Sequence, residues 1–203
     1  MTSYQSIQQQ LNFDQPLPYD KNWSAAADFL QIIINHCLHT RPSSIVECSS
    51  GLTSLILARC CQLNHHGHIH SLENEEEYAE KTRQQLTDFG LGGYVEVIDA
   101  PLESKSINKH DFMWYSINKL PELSIDMLVI DGPPGFLQKN SRFPALPLLY
   151  QQLADHCVIF LDDAARDDEK AIVDMWLQAY PDIKHEYIET ERGCSKLIIN
   201  KKI

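Results

Sequence analysis

The sequence predicts an α/β protein: a doubly wound, Rossmann-like sheet, mostly parallel, with helices on both faces and an antiparallel hairpin at its C-terminal end. Three observations carry that reading. Short apolar runs at Ile45–Cys48, Ile69–Leu72, Val95–Ile98, Met127–Ile130 and Val158–Leu161 are β-branched-rich and too short to bury a helix face. Stretches with helical spacing lie between them. The runs are almost continuously hydrophobic, as parallel strands covered on both sides must be.

The elements follow in order. The first 20 or so residues are polar and Gln-rich, and Pro16 and Pro18 stop any helix, which predicts an arm lying on the domain or on a partner. From Ser24 the pattern turns helical, with Phe29, Leu30, Ile33, Ile34, Cys37 and Leu38 recurring at spacings of three and four. Arg41-Pro42-Ser43 ends that helix, so residues 1–42 divide from a main domain at 43–203. Helices are expected over residues 51–63, over 75–89 with Asn74 and Glu77 at capping-box spacing and Gly90 closing, over 145–155 after Pro144, and over 166–179. Asp167, Asp168 and Glu169 suit the N-terminus of the last of these. Glu186–Thr190 and Lys196–Asn200, flanking Glu191-Arg192-Gly193-Cys194, give the hairpin.

Composition narrows the function. The 203 residues carry 43% hydrophobic and 22% charged side chains, enough for a sizeable core, and a formal net charge of −11. Such a surface repels phosphate backbones and anionic lipid, so neither nucleic acid nor membrane is expected as a partner. No apolar run approaches the roughly 18 residues of a spanning helix, and MTSYQSIQQQ lacks a signal core. The six cysteines form no C-x-x-C pair and read as reduced structural thiols, which predicts a cytoplasmic protein. In His65-His66-Gly67-His68-Ile69-His70, His68 and His70 share a strand face, but no neighbouring acid or thiol completes a metal set, so a polar loop entering a strand is the reading.

In open α/β sheets ligands bind beyond the carboxyl ends of the strands, so the residues following each apolar run are the candidates. The first run leads into Glu47-Cys48-Ser49-Ser50-Gly51-Leu52-Thr53, a small-residue turn before a helix N-terminus. The second ends at Glu73, 22 residues past Gly51, where a carboxylate can accept both hydroxyls of a ribose. A ligand-free tight turn and a solvated Glu73 are the plain alternatives. The third ends in Asp99-Ala100, placed to read an adenine edge. The fourth ends in Asp131-Gly132-Pro133-Pro134-Gly135 and the fifth in Asp162-Asp163. With those two strands adjacent, the carboxylates converge, and they must share a proton, meet a cation or bind a hard metal such as Mg²⁺ or Ca²⁺.

On these residues the chain resembles the class I S-adenosylmethionine-dependent methyltransferases, from about Ser43 to the end. Ile45-Val46-Glu47-Cys48-Ser49-Ser50-Gly51 is similar to that family's first motif, with Ser49 where glycine usually stands. The resemblance implies a methyltransferase domain at 43–203 that binds S-adenosylmethionine through Glu47, Ser49, Ser50, Gly51, Thr53, Glu73, Asp99, Ala100 and Asp131. Asp131 and Asp162 are the implied catalytic residues. In the caffeoyl-coenzyme A and catechol O-methyltransferase branch, acids placed like Asp131, Asp162 and Asp163 hold a divalent cation, although Gly-Pro-Pro after the first of them is unusual there. The expected reaction is methyl transfer to a small-molecule acceptor, most simply a hydroxyl, with the loop from Gly132 to Pro144 over the acceptor, Trp114 and Tyr115 beside it, and Arg142 and Arg166 steadying an anionic substrate. Two other readings remain at this stage: a cofactor-binding or interaction protein without catalysis, and a nicotinamide-dependent dehydrogenase, which would want more glycines in the first turn. Whether the N-terminal arm and helix pair two copies into a homodimer stays open.

Overall fold

The computed structural model describes residues 2–201. Its strands are β1 (Ser44–Cys48), β2 (His68–Glu73), β3 (Val95–Asp99), β4 (Leu102–Ile107), β5 (His110–Tyr115), β6 (Ile125–Ile130), β7 (Leu153–Leu161), β8 (Lys184–Ile188) and β9 (Cys194–Asn200). Its helices are α1 (Tyr4–Gln10), α2 (Ala27–Thr40), α3 (Leu52–Asn64), α4 (Glu76–Asp88), α5 (Ala145–Leu149) and α6 (Asp167–Ala179). Seven strands form one sheet in the order β3-β2-β1-β6-β7-β9-β8, parallel except where β9 runs against β7 and β8. This is the doubly wound, mostly parallel sheet with a C-terminal antiparallel hairpin that the sequence predicts.

The strand order reverses between β1 and β6, and the register there positions the site. Cys48 lies opposite both Leu72 and Ile130, and Ile130 opposite Leu161. The next residues, Ser49, Glu73, Asp131 and Asp162, therefore stand at one level at the strand ends, beside the switch point where such sheets open a crevice.

Side chains alternate across the sheet. On one face Ile45, Ile69, Met127 and Phe160 pack against Phe29, Leu30 and Ile33 of α2 and Leu55 and Ile56 of α3. On the other, Val46, Leu128 and Ile159 meet Leu146 and Leu149 of α5 and Ile172 and Trp176 of α6. Each fully buried large side chain contributes about 1.5–3 kcal/mol of transfer free energy, so the two layers hold the strand tips rigidly.

Several segments depart from expectation. The polar arm contains α1: Ser3 caps it by accepting the Ser6 N–H at 3.1 Å, and Ile7 and Leu11 are fully buried. Helix α2 begins at Ala27, because Ser24 instead accepts the Asp20 N–H through its hydroxyl. The expected helix over 145–155 stops at Leu149, and after a 3₁₀ turn the chain is already strand at Leu153, where it pairs with Ile125. No Asn74–Glu77 capping box closes, since the Asn74 and Glu75 N–H groups both donate to Glu73 Oε1. The β4–β5 hairpin is an addition. Its two-residue turn, Asn108-Lys109, has positive φ at both positions without a glycine, the geometry that matches strand twist. Among the described residues no helix is long and apolar enough to cross a membrane.

Candidate active site

A crevice of about 900 Å³ opens at the aligned strand tips, lined among others by Ser49, Ser50, Glu73, Asp131, Arg142 and Asp163. The turn after β1 bends sharply, with φ of 114° at Ser49 and 134° at Gly51. A Cβ on Gly51 would meet nothing within 4 Å, so the turn leaves open space there. Ser49 holds a conformation that side-chain-bearing residues rarely adopt, at a cost of order 1–3 kcal/mol.

Glu73 faces this turn. Its Oε2 accepts the Ser50 N–H at 3.0 Å and the Ser50 hydroxyl at 2.9 Å, while Oε1 accepts the N–H groups of Asn74 and Glu75. Burial raises its pKa, and these donors pull it back. Glu47 lies beneath the turn rather than in the crevice. Its Oε2 accepts the hydroxyls of Ser54 and Ser71, each at 2.6 Å, and Ser54 Oγ in turn accepts the Gly51 N–H. Burial pushes the Glu47 carboxyl up to about 8.

Thr53, Asp99, Ala100 and Asp162 also lie outside the crevice lining. Thr53 is buried in the first turn of α3. Asp99 turns outward to pair with Arg83, and the Ala100 N–H donates to the Glu73 carbonyl at 2.7 Å.

Between the tips of β6 and β7 the acids gather. One carboxylate oxygen from each of Asp131, Asp162 and Asp163 lies within 4.8 Å of the others. Arg142 enters this cluster from the loop after β6. Its Nη2 donates to Asp163 Oδ2 at 2.9 Å, to the Asp131 carbonyl at 2.8 Å and to Asp131 Oδ1 at 3.2 Å, while Nη1 donates to the Asp162 carbonyl at 3.0 Å. Arg166, half exposed at the mouth, reaches Asp163 Oδ2 at 2.9 Å. Burial raises the Asp131 carboxyl to about 6, against the pull of Arg142. Burial also raises Asp162 well above the ordinary range, with Asp131 and Asp163 adding to the effect.

A divalent ion fits this arrangement poorly. Asp162 Oδ2 and Asp163 Oδ1 are buried without a hydrogen-bond partner, yet Asp131 Oδ1 and Asp163 Oδ2 already accept from a guanidinium. At an effective dielectric near 20, two unit charges about 4 Å apart repel by roughly 4 kcal/mol, and a divalent ion doubles that.

Sequence reasoning passed over other lining groups. Glu169 reads as an ordinary acid at a helix N-terminus, but its side chain is buried on the crevice, 3.8 Å from Arg142 Nε. Tyr115, expected beside the acceptor, does line the crevice, whereas Trp114, expected there with it, is fully buried. A Cβ on Gly132 would fall 2.2 Å from the Tyr115 hydroxyl, so any larger residue would have to displace that group. Trp23, from the N-terminal segment, reaches the rim with Tyr78, and Phe136 and Leu137 stand exposed on the opposite loop. At the other end of the sheet, the acid that the histidine run lacked comes from β3: Glu96 lies across from His70, with Oε2 3.7 Å from His70 Nε2.

The model of the methyltransferase domain family matches residues 46–164, more than half of the chain. The chain belongs to this family. The methyltransferase is similar in fold to solved structures at low sequence identity. The O-methyltransferase TomG from Streptomyces achromogenes, involved in tomaymycin synthesis and solved with S-adenosylmethionine, shares 15% identity at a TM-score of 0.67, over 97% of this chain and 88% of that one. The methyltransferase PaMTH1 of Podospora anserina, bound to S-adenosylhomocysteine, shares 16% at 0.69, over 98% and 88%. An O-methyltransferase from Bacillus cereus, also with S-adenosylhomocysteine, shares 15% at 0.68, over 97% and 90%. No curated protein matches the chain.

Proposed function

We propose that this methyltransferase moves the methyl group of S-adenosylmethionine to a hydroxyl of a small-molecule acceptor bound in the crevice. The observation that carries the reading is that Ser50, Glu73 and Asp131 line one crevice: a turn with open space at Gly51, a carboxylate 3.0 Å from the turn's amide on one side, and a second carboxylate past the neighbouring strand on the other. When bound, the cofactor supplies an electrophilic methyl on a sulfonium whose leaving group is a neutral thioether.

The chain's own residues do the rest. Glu73 accepts the ribose hydroxyls, for which the Ser50 hydroxyl must give way, because the carboxylate's acceptor positions are otherwise filled. The open space at Gly51 and the Ser49 side chain receive the amino-acid end. Asp131 takes the proton from the acceptor hydroxyl; its raised pKa makes it a stronger base than an ordinary aspartate while leaving it largely ionised near neutrality. Tyr115, Phe136 and Leu137 line the crevice with apolar surface that would shield the reacting groups, and holding those groups in line would supply an orientation effect worth several kcal/mol. Arg166, at the mouth, is placed to meet an anionic part of the acceptor.

Calorimetric titration with S-adenosylmethionine, S-adenosylhomocysteine and NAD tests the reading. Binding of the first two alone is expected; NAD binding, or silence with all three, overturns it. A panel of hydroxyl acceptors, scored by S-adenosylhomocysteine formation, then separates a catalyst from a binder.

A further inference from the structure

We propose that Arg142 is the resident cation of the Asp131–Asp162–Asp163 cluster, and that the protein carries out its reaction without a divalent metal. The second half rests on the methyl-transfer reading above; the first half does not.

The guanidinium is built in. Its side chain is 3% exposed. It is clamped to main-chain carbonyls just past both strand ends, of Asp131 after β6 and Asp162 after β7, as well as to the carboxylates of Asp131 and Asp163. The loop that delivers it is fixed on both sides. Ser141 donates its hydroxyl to the Pro133 carbonyl at 3.3 Å, and Trp176 Nε1 donates to the Phe143 carbonyl at 2.9 Å from inside the core. An arginine so held does not swing away to admit another cation. Its planar fork also suits carboxylates and carbonyls that face one another across two adjacent strands.

A metal asks for a different geometry. Mg²⁺ needs six oxygens near 2.0–2.1 Å and Ca²⁺ six to eight at about 2.3–2.6 Å, all turned to one point. Here Asp131 and Asp163 each turn an oxygen to Arg142, and Arg166 takes a further share of Asp163. Two buried oxygens, on Asp162 and Asp163, have no partner, but a cation drawn to them would sit against the Arg142 guanidinium that Asp163 already holds. Arg142 acts through Asp131, fixing the carboxylate that faces the acceptor, and is a positioning residue.

The acceptor class follows. A metal-centred site selects molecules that chelate through two neighbouring oxygens, such as catechols. A cluster closed by a guanidinium offers no open coordination position, so the expected acceptor presents a single hydroxyl, and a vicinal pair brings no advantage.

The test uses the full chain after treatment with EDTA, titrated with Mn²⁺, Mg²⁺ and Ca²⁺ while melting temperature is followed, and Mn²⁺ binding is read by electron paramagnetic resonance. The wild type is expected to show no binding at this cluster up to millimolar metal. Arg142→Met, which vacates the space between the carboxylates, is expected to gain Mn²⁺ binding, with a rise in melting temperature of at least about 3 °C. Adding Asp163→Asn to that variant should remove the gain. Mn²⁺ binding by the wild type that disappears in Asp162→Asn overturns the proposal, as does a folded Arg142→Met that gains nothing. Should Arg142→Met fail to fold, the wild-type and Asp162→Asn titrations decide alone. S-adenosylhomocysteine titration of the same EDTA-treated protein keeps the two readings apart. Cofactor binding together with a metal at the cluster sinks only this inference, whereas no cofactor binding with no metal sinks the methyl-transfer reading and the second half of this inference with it, and leaves Arg142 as the resident cation.

Discussion

The main-chain N–H of Ser50 donates to Oε2 of Glu73 at 3.0 Å, joining the turn after β1 to the tip of β2 across the wall of the crevice. The register sets up this bond, because Cys48 lies opposite Leu72 and Glu73 ends β2 beside the turn. Glu73→Gln keeps the shape and removes the charge. Charge-assisted hydrogen bonds contribute about 1.5–3 kcal/mol, so S-adenosylhomocysteine should bind roughly 10- to 100-fold more weakly by calorimetry. Unchanged affinity in the folded variant would take the ribose away from Glu73.

Ser49 occupies a backbone conformation with φ of 114° that suits glycine. Ser49→Gly relieves that strain, while the added freedom of the unfolded chain takes back part of the gain. The net expectation is a stabilisation of about 1 kcal/mol, read as a higher midpoint in urea with an unchanged slope. A lower midpoint would mean that the serine side chain contributes more than its backbone costs.

What could be read from the chain and what could not divides along physical lines. The parallel strands were legible because each buries both faces and so becomes a short, β-branched apolar run. Glu73 and Asp131 were legible because a parallel sheet places its chemistry one residue past such runs. The β4–β5 hairpin was not: Ser104, Lys105 and Ser106 dilute its alternation, and its turn carries Asn108-Lys109 in place of the glycine that usually marks one. Helix α1 was hidden because its burial depends on Ile7 and the adjoining Leu11 within a Gln-rich stretch. The Arg142 cluster was legible only in part. Its acids stand at strand tips, but nothing local marks a loop arginine as buried, and its hydrogen bonds reach residues 11 to 21 positions away.

Glu47 gives stability a pH dependence. Its carboxyl is raised by burial from an ordinary 4.5 to about 8, so the folded state holds the proton more tightly than the unfolded one. The contribution is fully present below about 4.5 and is lost as pH rises toward 8. A tenfold difference in proton affinity between the folded and unfolded states corresponds to about 1.4 kcal/mol, which puts the whole effect at a few kcal/mol. Glu47→Gln carries no titrating proton and should flatten the decline, leaving the variant more stable than wild type at pH 8 in chemical denaturation. Parallel stability curves for the two proteins would remove Glu47 as the cause.

The proton transfer assigned to Asp131 makes a kinetic prediction. A base works only when ionised, and this carboxyl is lifted to about 6 by burial against the opposing pull of Arg142. With an acceptor identified from the hydroxyl panel, kcat/KM should climb about tenfold per pH unit below that value and level off above it. Asp131→Asn should remove this limb and lower kcat/KM by roughly 10²- to 10⁴-fold, the usual range for a general base. S-adenosylhomocysteine affinity should change little, since Glu73 and the Gly51 turn carry cofactor binding in this scheme. Survival of the same acidic limb in a folded Asp131→Asn would assign the proton to another group. Glu169 is then the next carboxylate to test, because it lines the crevice and burial raises its pKa as well.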